Sequence, residues 1–134
     1  LADAAGSGDA GLTGRGYHPG MAFRPLEVTS SSAAGAAIVH VTGDVTSDGI
    51  DALRQGIAKA IAFKQPKVIV DLTQTSFLSS PGLAVLVQAM QLSQRNGSKL
   101  LLAGANDRVR GIFEISRLTE VFTMVPSLEE AIAR

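Results

Sequence analysis

From about residue 38 onward, short β-branched runs alternate with stretches whose apolar residues recur every three or four positions. Ile38-Val39-His40-Val41-Thr42 reads as a strand ending at Gly43, and Phe23 to Thr29 as a shorter extended segment before it. The small residues Ala33 to Ala37 predict the turn between them. Ile50, Leu53, Ile57 and Ile61 then fall on one helical face. Thr46 or Ser47 is the expected cap, Asp48 suits the positive end, and Pro66 stops the helix. Val68-Ile69-Val70 reads as a buried strand within Lys67 to Leu72. A second helix is expected from near Ser80 to Arg95, ended by Asn96-Gly97. Asn96-Gly97-Ser98 also matches a glycosylation sequon and is read as a turn.

Lys99 to Ala103 predicts another strand, and Asn106-Asp107 opens a short helix carrying Val109, Ile112 and Phe113. Val121 to Val125 follows as a strand. Ser127-Leu128-Glu129-Glu130 is a capping-box start for a last helix. The predicted order is β-β-α-β-α-β-α-β-α. Such alternation implies right-handed crossovers and an α/β fold with a mixed, largely parallel sheet.

Composition changes this picture mainly at the N-terminus. Residues 1–20 hold six glycines and almost no large apolar side chain, so they cannot bury enough surface to offset ordering entropy. They are expected to be an extension or cloning remnant, with Met21 as a candidate natural start and residues 21–134 as the domain. Elsewhere the chain is 46% hydrophobic and 18% charged, with formal net charge zero, which supports a packed core and argues against nucleic-acid binding. Cysteine is absent, so disulfides and thiolate chemistry are excluded, and an intracellular, cytoplasmic location is expected. No apolar run approaches the roughly 18 residues of a membrane span, and no signal-peptide pattern is visible.

The candidate chemistry is sparse. Gly6-Ser7-Gly8-Asp9-Ala10-Gly11 matches a dinucleotide fingerprint but has no strand before it and no helix after it, so no cofactor is expected. His18 and His40 do not make a metal site, and His40 reads as a sheet residue. Ser80-Pro81-Gly82 lies between a strand and a helix, yet Leu78 replaces the first glycine of a nucleophile elbow and no downstream histidine can act as base. No catalytic residue and no enzyme activity are expected.

Ser80 fits as an N-cap, with Pro81 as the first helical residue. A phosphate at that place would add roughly −1.5 to −2 charges beside the positive end of the helix. Local sequence leaves both roles open, plain cap or regulated serine. Leu83, Leu86, Val87 and Met90 form the expected core stripe of this helix. Val85, Ala89 and Leu92 lie on roughly the opposite side. That second stripe is expected either to be covered by the chain or to meet a partner protein.

Asp71-Leu72-Thr73-Gln74-Thr75-Ser76-Phe77-Leu78-Ser79-Ser80-Pro81-Gly82-Leu83-Ala84-Val85-Leu86 resembles the signature of STAS domains. Val41-Thr42-Gly43-Asp44-Val45 is similar to the family's glycine–acidic–apolar turn. Phe113 to Phe122 is similar to its passage from helix to last strand. The resemblance implies a STAS-like sheet with helices mainly on one face. It implies an anti-sigma-factor antagonist of the stress-response kind, regulating transcription through an anti-sigma factor that is also a serine kinase. In that family the unmodified antagonist binds this partner, serine phosphorylation ends the binding, and a phosphatase restores it. The phosphoacceptor falls on Ser80. Ser79, standing where many members carry aspartate, is the alternative acceptor. Ser79, Ser80, Pro81, Gly82, Val85, Ala89 and Leu92 are the expected partner-binding residues. The competing expectation is an unswitched scaffold subunit of a stress-signalling or lipid-transport complex; self-association stays open.

Overall fold

A ten-residue strand, buried at eight of its positions, is the one around which the sheet is built. The computed structural model describes residues 24–134. The readings made above for residues 1–23, His18 and Met21 among them, lie outside this range. Strand β1 (Glu27–Ala33) turns into β2 (Ala36–Val45) as an antiparallel hairpin. A short 3-10 turn, Ser47–Gly49, leads into α1 (Ile50–Ala62). Then follow β3 (Lys67–Asp71), β4 (Thr75–Leu78), α2 (Ser80–Arg95), β5 (Lys99–Ala103), α3 (Asp107–Ile115), β6 (Thr123–Val125) and α4 (Leu128–Ala133). The six-stranded sheet runs β1-β2-β3-β5-β6, all parallel except β1, and β4 continues alongside β2 where β3 leaves it.

The two faces are filled differently. Ala37, Val39, Val41, Val68, Val70, Leu100 and Leu102 point toward α1, α2 and α3 and form the larger core with Leu53, Ile57, Leu86 and Phe113. Ala36, Ile38, Ile69, Leu101, Ala103 and Val125 point the other way and are covered by α4 through Ala131. The expected α/β fold with helices mainly on one face is therefore observed. Double-sided burial also explains why β3 and β5 are unbroken apolar runs rather than alternating ones. Helix α4 is held at its C-terminal end by Lys67, whose Nζ donates to the carbonyls of Ala131 and Ile132 at 3.0 and 2.7 Å. A cation there satisfies orphan carbonyls and suits the negative end of the helix.

Four local expectations are corrected. Strand β1 spans Glu27–Ala33 rather than residues 23–29, and the turn contracts to Ala34-Gly35, both at positive φ (52° and 78°). Serine and alanine are weak strand formers, but full-length pairing with β2 outweighs propensity. Strand β4 is absent from the expected order of elements. It forms because Thr75 Oγ1 donates to Val41 O at 2.7 Å and because it pairs with the end of β2. The last strand is shortened to Thr123–Val125, since Phe122 instead packs edge-on against Phe113 with ring centroids 5.6 Å apart. Neither Thr46 nor Ser47 caps α1. The 3-10 turn places Gly49, which has no side chain to offer, at the cap.

Candidate functional site: the start of helix α2

The end of β2 sets the position of the α2 start. Gly43 has φ 101°, and a Cβ there would meet Pro25 O at 2.2 Å, so only glycine lets the Arg24-Pro25 backbone cross so closely. Asp44, buried beside it, accepts from Arg24 N through Oδ2 at 2.7 Å. Beyond this crossing, Asp44 and Val45 pair with Phe77 and Leu78, and Val45 O accepts from Ser79 N at 2.9 Å. The serine pair is thus tied to the sheet by the last rung of a parallel ladder.

The cap is Ser79, not Ser80. Ser79 has extended backbone (φ −76°, ψ 165°), and its Oγ accepts from Gly82 N at 3.2 Å. Its carbonyl accepts from Leu83 N at 3.0 Å. Ser80 is the first helical residue, which moves Pro81 to the second position. Entering the helix one residue earlier than expected turns the Ser80 side chain outward. It is exposed, and its hydroxyl makes no hydrogen bond among the described residues. Pro81 is exposed beside it. No acidic residue lies in the first turn.

Several expected partner-binding residues lie elsewhere. Gly82 is buried. A Cβ on it would come within 2.9 Å of both Leu78 Cδ1 and Val45 Cγ1, so its bareness serves packing of α2 on the sheet. Val85 and Ala89 are 3% and 6% exposed and belong to the core, contrary to an exposed second stripe. The reason is that α2 packs against both α1 and β5, so its buried arc is wider than one stripe. Leu92, one turn further on, is 37% exposed and does reach solvent. Ser79, Ser80 and Pro81 cluster at one end of the helix and Leu92 lies near the other.

Two contacts escaped the reading of the sequence. Arg24 Nη1 donates to Ser76 Oγ at 2.7 Å, placing a guanidinium on β4 just before the serine pair. His40 does not approach Ser80; it is hydrogen bonded to Ser31 and Asp71 on the sheet. Neither carried a sequence signal, because the partners are far apart along the chain and meet only in the folded sheet.

A model of the STAS domain matches residues 27–131, almost the whole described chain. The protein belongs to the STAS domain family. Among curated relatives, BtrV of Bordetella bronchiseptica, named as an anti-sigma factor antagonist, is 32% identical over 109 residues, covering 81% of this chain and 93% of BtrV. The STAS fold is shared with an anti-sigma factor antagonist from Mycobacterium paratuberculosis (TM-score 0.74, 23% identity, covering 81% of this chain and 92% of that one). It is shared also with the antagonist SpoIIAA in its unphosphorylated form (TM-score 0.65, 24% identity, covering 84% and 95%). No helix among the described residues is long and apolar enough to cross a membrane.

Proposed function

We propose that this STAS domain is an anti-sigma-factor antagonist whose binding to an anti-sigma factor, itself a serine kinase, is ended by phosphorylation of Ser80. A phosphatase returns it to the binding state. The observation that carries this reading is the division of labour between adjacent serines. Ser79 spends its hydroxyl on the cap, whereas Ser80 offers an exposed, unengaged hydroxyl on a rigid helix start. The names of the relatives supply the partner class. SpoIIAA, similar in fold, is known in phosphorylated as well as unphosphorylated form.

The chemistry of the helix end favours a switch that acts on the partner and leaves the fold alone. Pro81 has no N–H, and the N–H of Gly82 is engaged by Ser79. The first turn therefore cannot wrap a phosphate on Ser80, and the added charge of roughly −1.5 to −2 stays in water. In a closed interface that charge loses its water. An unpaired buried charge costs several kcal/mol, and about 1.4 kcal/mol is tenfold in affinity.

The test measures affinity for the anti-sigma partner with and without ATP, and maps phosphate by mass spectrometry. Ser80→Ala is expected to bind and resist release by ATP. Ser80→Asp is expected to fold normally and bind about 100-fold more weakly. Phosphate found only on Ser79 overturns the assignment. Equal affinity for all forms leaves an unswitched scaffold instead.

A further inference from the structure

Ser31, His40 and Asp71 come from three adjacent strands. His40 and Asp71 are direct partners across β2 and β3, while Ser31 reaches His40 diagonally across the hairpin, two residues beyond His40's direct partner Thr29. Ser31 Oγ lies 2.8 Å from His40 Nε2, and His40 Nδ1 lies 2.8 Å from Asp71 Oδ2. The other carboxylate oxygen, Oδ1, accepts from Thr73 N at 3.0 Å and from Thr73 Oγ1 at 2.5 Å.

The order of the groups matters. Burial of Asp71 would raise its carboxyl, but hydrogen bonds from Thr73 and His40 outweigh that and hold it below the usual carboxylate value. With an ionised carboxylate beside Nδ1, the neutral ring carries its proton there, and Nε2 presents a lone pair to the Ser31 hydroxyl. A nucleophile within hydrogen-bond reach of a base, and a base oriented by a third group, is the arrangement that activates a serine. Ser80, by contrast, has no such base among the described residues.

We propose that Ser31 is a covalently modifiable nucleophile that takes acyl groups from small activated esters, with His40 as its base and Asp71 as the positioning residue. Ser31 Oγ forms a bond to the ester carbonyl carbon while His40 Nε2 takes the hydroxyl proton. The ester C–O bond then breaks, and His40 returns the proton to the departing oxygen. The products are acyl-Ser31 and the free alcohol. Ser31 is exposed and His40 is partly so, on an open sheet face. That openness suits small donors and one modification per chain rather than rapid turnover.

The experiment exposes the full chain to p-nitrophenyl acetate and quantifies acetyl at each serine by peptide mapping. Ser30 and Ser32, exposed neighbours on the same strand with no such base, are internal comparators. Ser31 is expected to be labelled about 100-fold faster than either, the scale of general-base assistance. His40→Gln is expected to erase that preference, and Asp71→Asn to lower it by about tenfold or more by letting the ring take the wrong tautomer. Acetyl spread evenly over Ser30, Ser31 and Ser32, no acetyl on Ser31, or an undiminished preference in His40→Gln overturns the proposal. The comparison among the three serines uses the wild-type protein, so it holds even where a variant unfolds.

Discussion

Two of the regions of this STAS domain that present a serine to solvent equip it in opposite ways. At the start of α2, the Ser80 hydroxyl has no base, no carboxylate and no hydrogen-bond partner among the described residues. On the sheet face of β1, β2 and β3, Ser31 sits at the end of a relay through His40 to Asp71. Modification of the first serine would need a visiting enzyme to supply the chemistry. The second carries its own base. Exposure alone therefore does not describe a reactive serine; what its neighbours can do with the hydroxyl proton separates the two.

The largest effect expected at the α2 region divides its buried part from its free part. Val85→Glu places a charge in the core and is expected to abolish cooperative unfolding, because an unpaired buried charge costs several kcal/mol. Leu92→Glu is expected to leave thermal unfolding cooperative, with a change within about 0.5 kcal/mol. A Val85→Glu protein that still unfolds cooperatively would return that position to the exposed surface. A smaller effect separates the two adjacent serines. Ser79→Ala removes the cap and is expected to cost about 1 kcal/mol in chemical denaturation. Ser80→Ala is expected to stay within about 0.5 kcal/mol of wild type, since its hydroxyl caps nothing. Equal losses would mean the helix start is shared between them.

The gentlest probe concerns the sheet face. Asp71 has a folded value below the unfolded one, near 3.9. A carboxyl lowered in this way contributes stability that is fully present above about pH 4 and is lost as pH falls through the folded value. Asp71→Asn is therefore expected to be less stable than wild type at neutral pH, with the gap closing as the solution is acidified below about pH 4. Urea titrations across that range measure the gap. A gap that stays constant would show that the ionised carboxylate is not what holds the relay.

Much of this architecture was readable along the chain because it is local. The stripe of Leu53, Ile57 and Ile61 made α1, and all three are buried. Asn106 and Ser127 cap their helices as read, accepting from Val109 N and Glu130 N. The unbroken apolar run of β3 signalled a buried strand, and the length and flanks of Lys99–Ala103 signalled β5. Each of these signals resides within one or two turns or a few residues, where periodicity and capping chemistry operate.

What tertiary structure alone decided involves partners distant in sequence. A helical stripe tells which side of α2 is apolar, but not that α1 and β5 together cover Val85 and Ala89. Strand propensity could not place β4, whose support is Val41 and the end of β2. Choosing Ser79 over Ser80 as the cap required the bond from Ser79 N to Val45, which sets where the extended backbone ends. The relay from Ser31 to Asp71 spans 40 residues and exists only in one register of two strand pairs. A slip by one residue would turn His40 to the other face of the sheet, because side chains along a strand alternate.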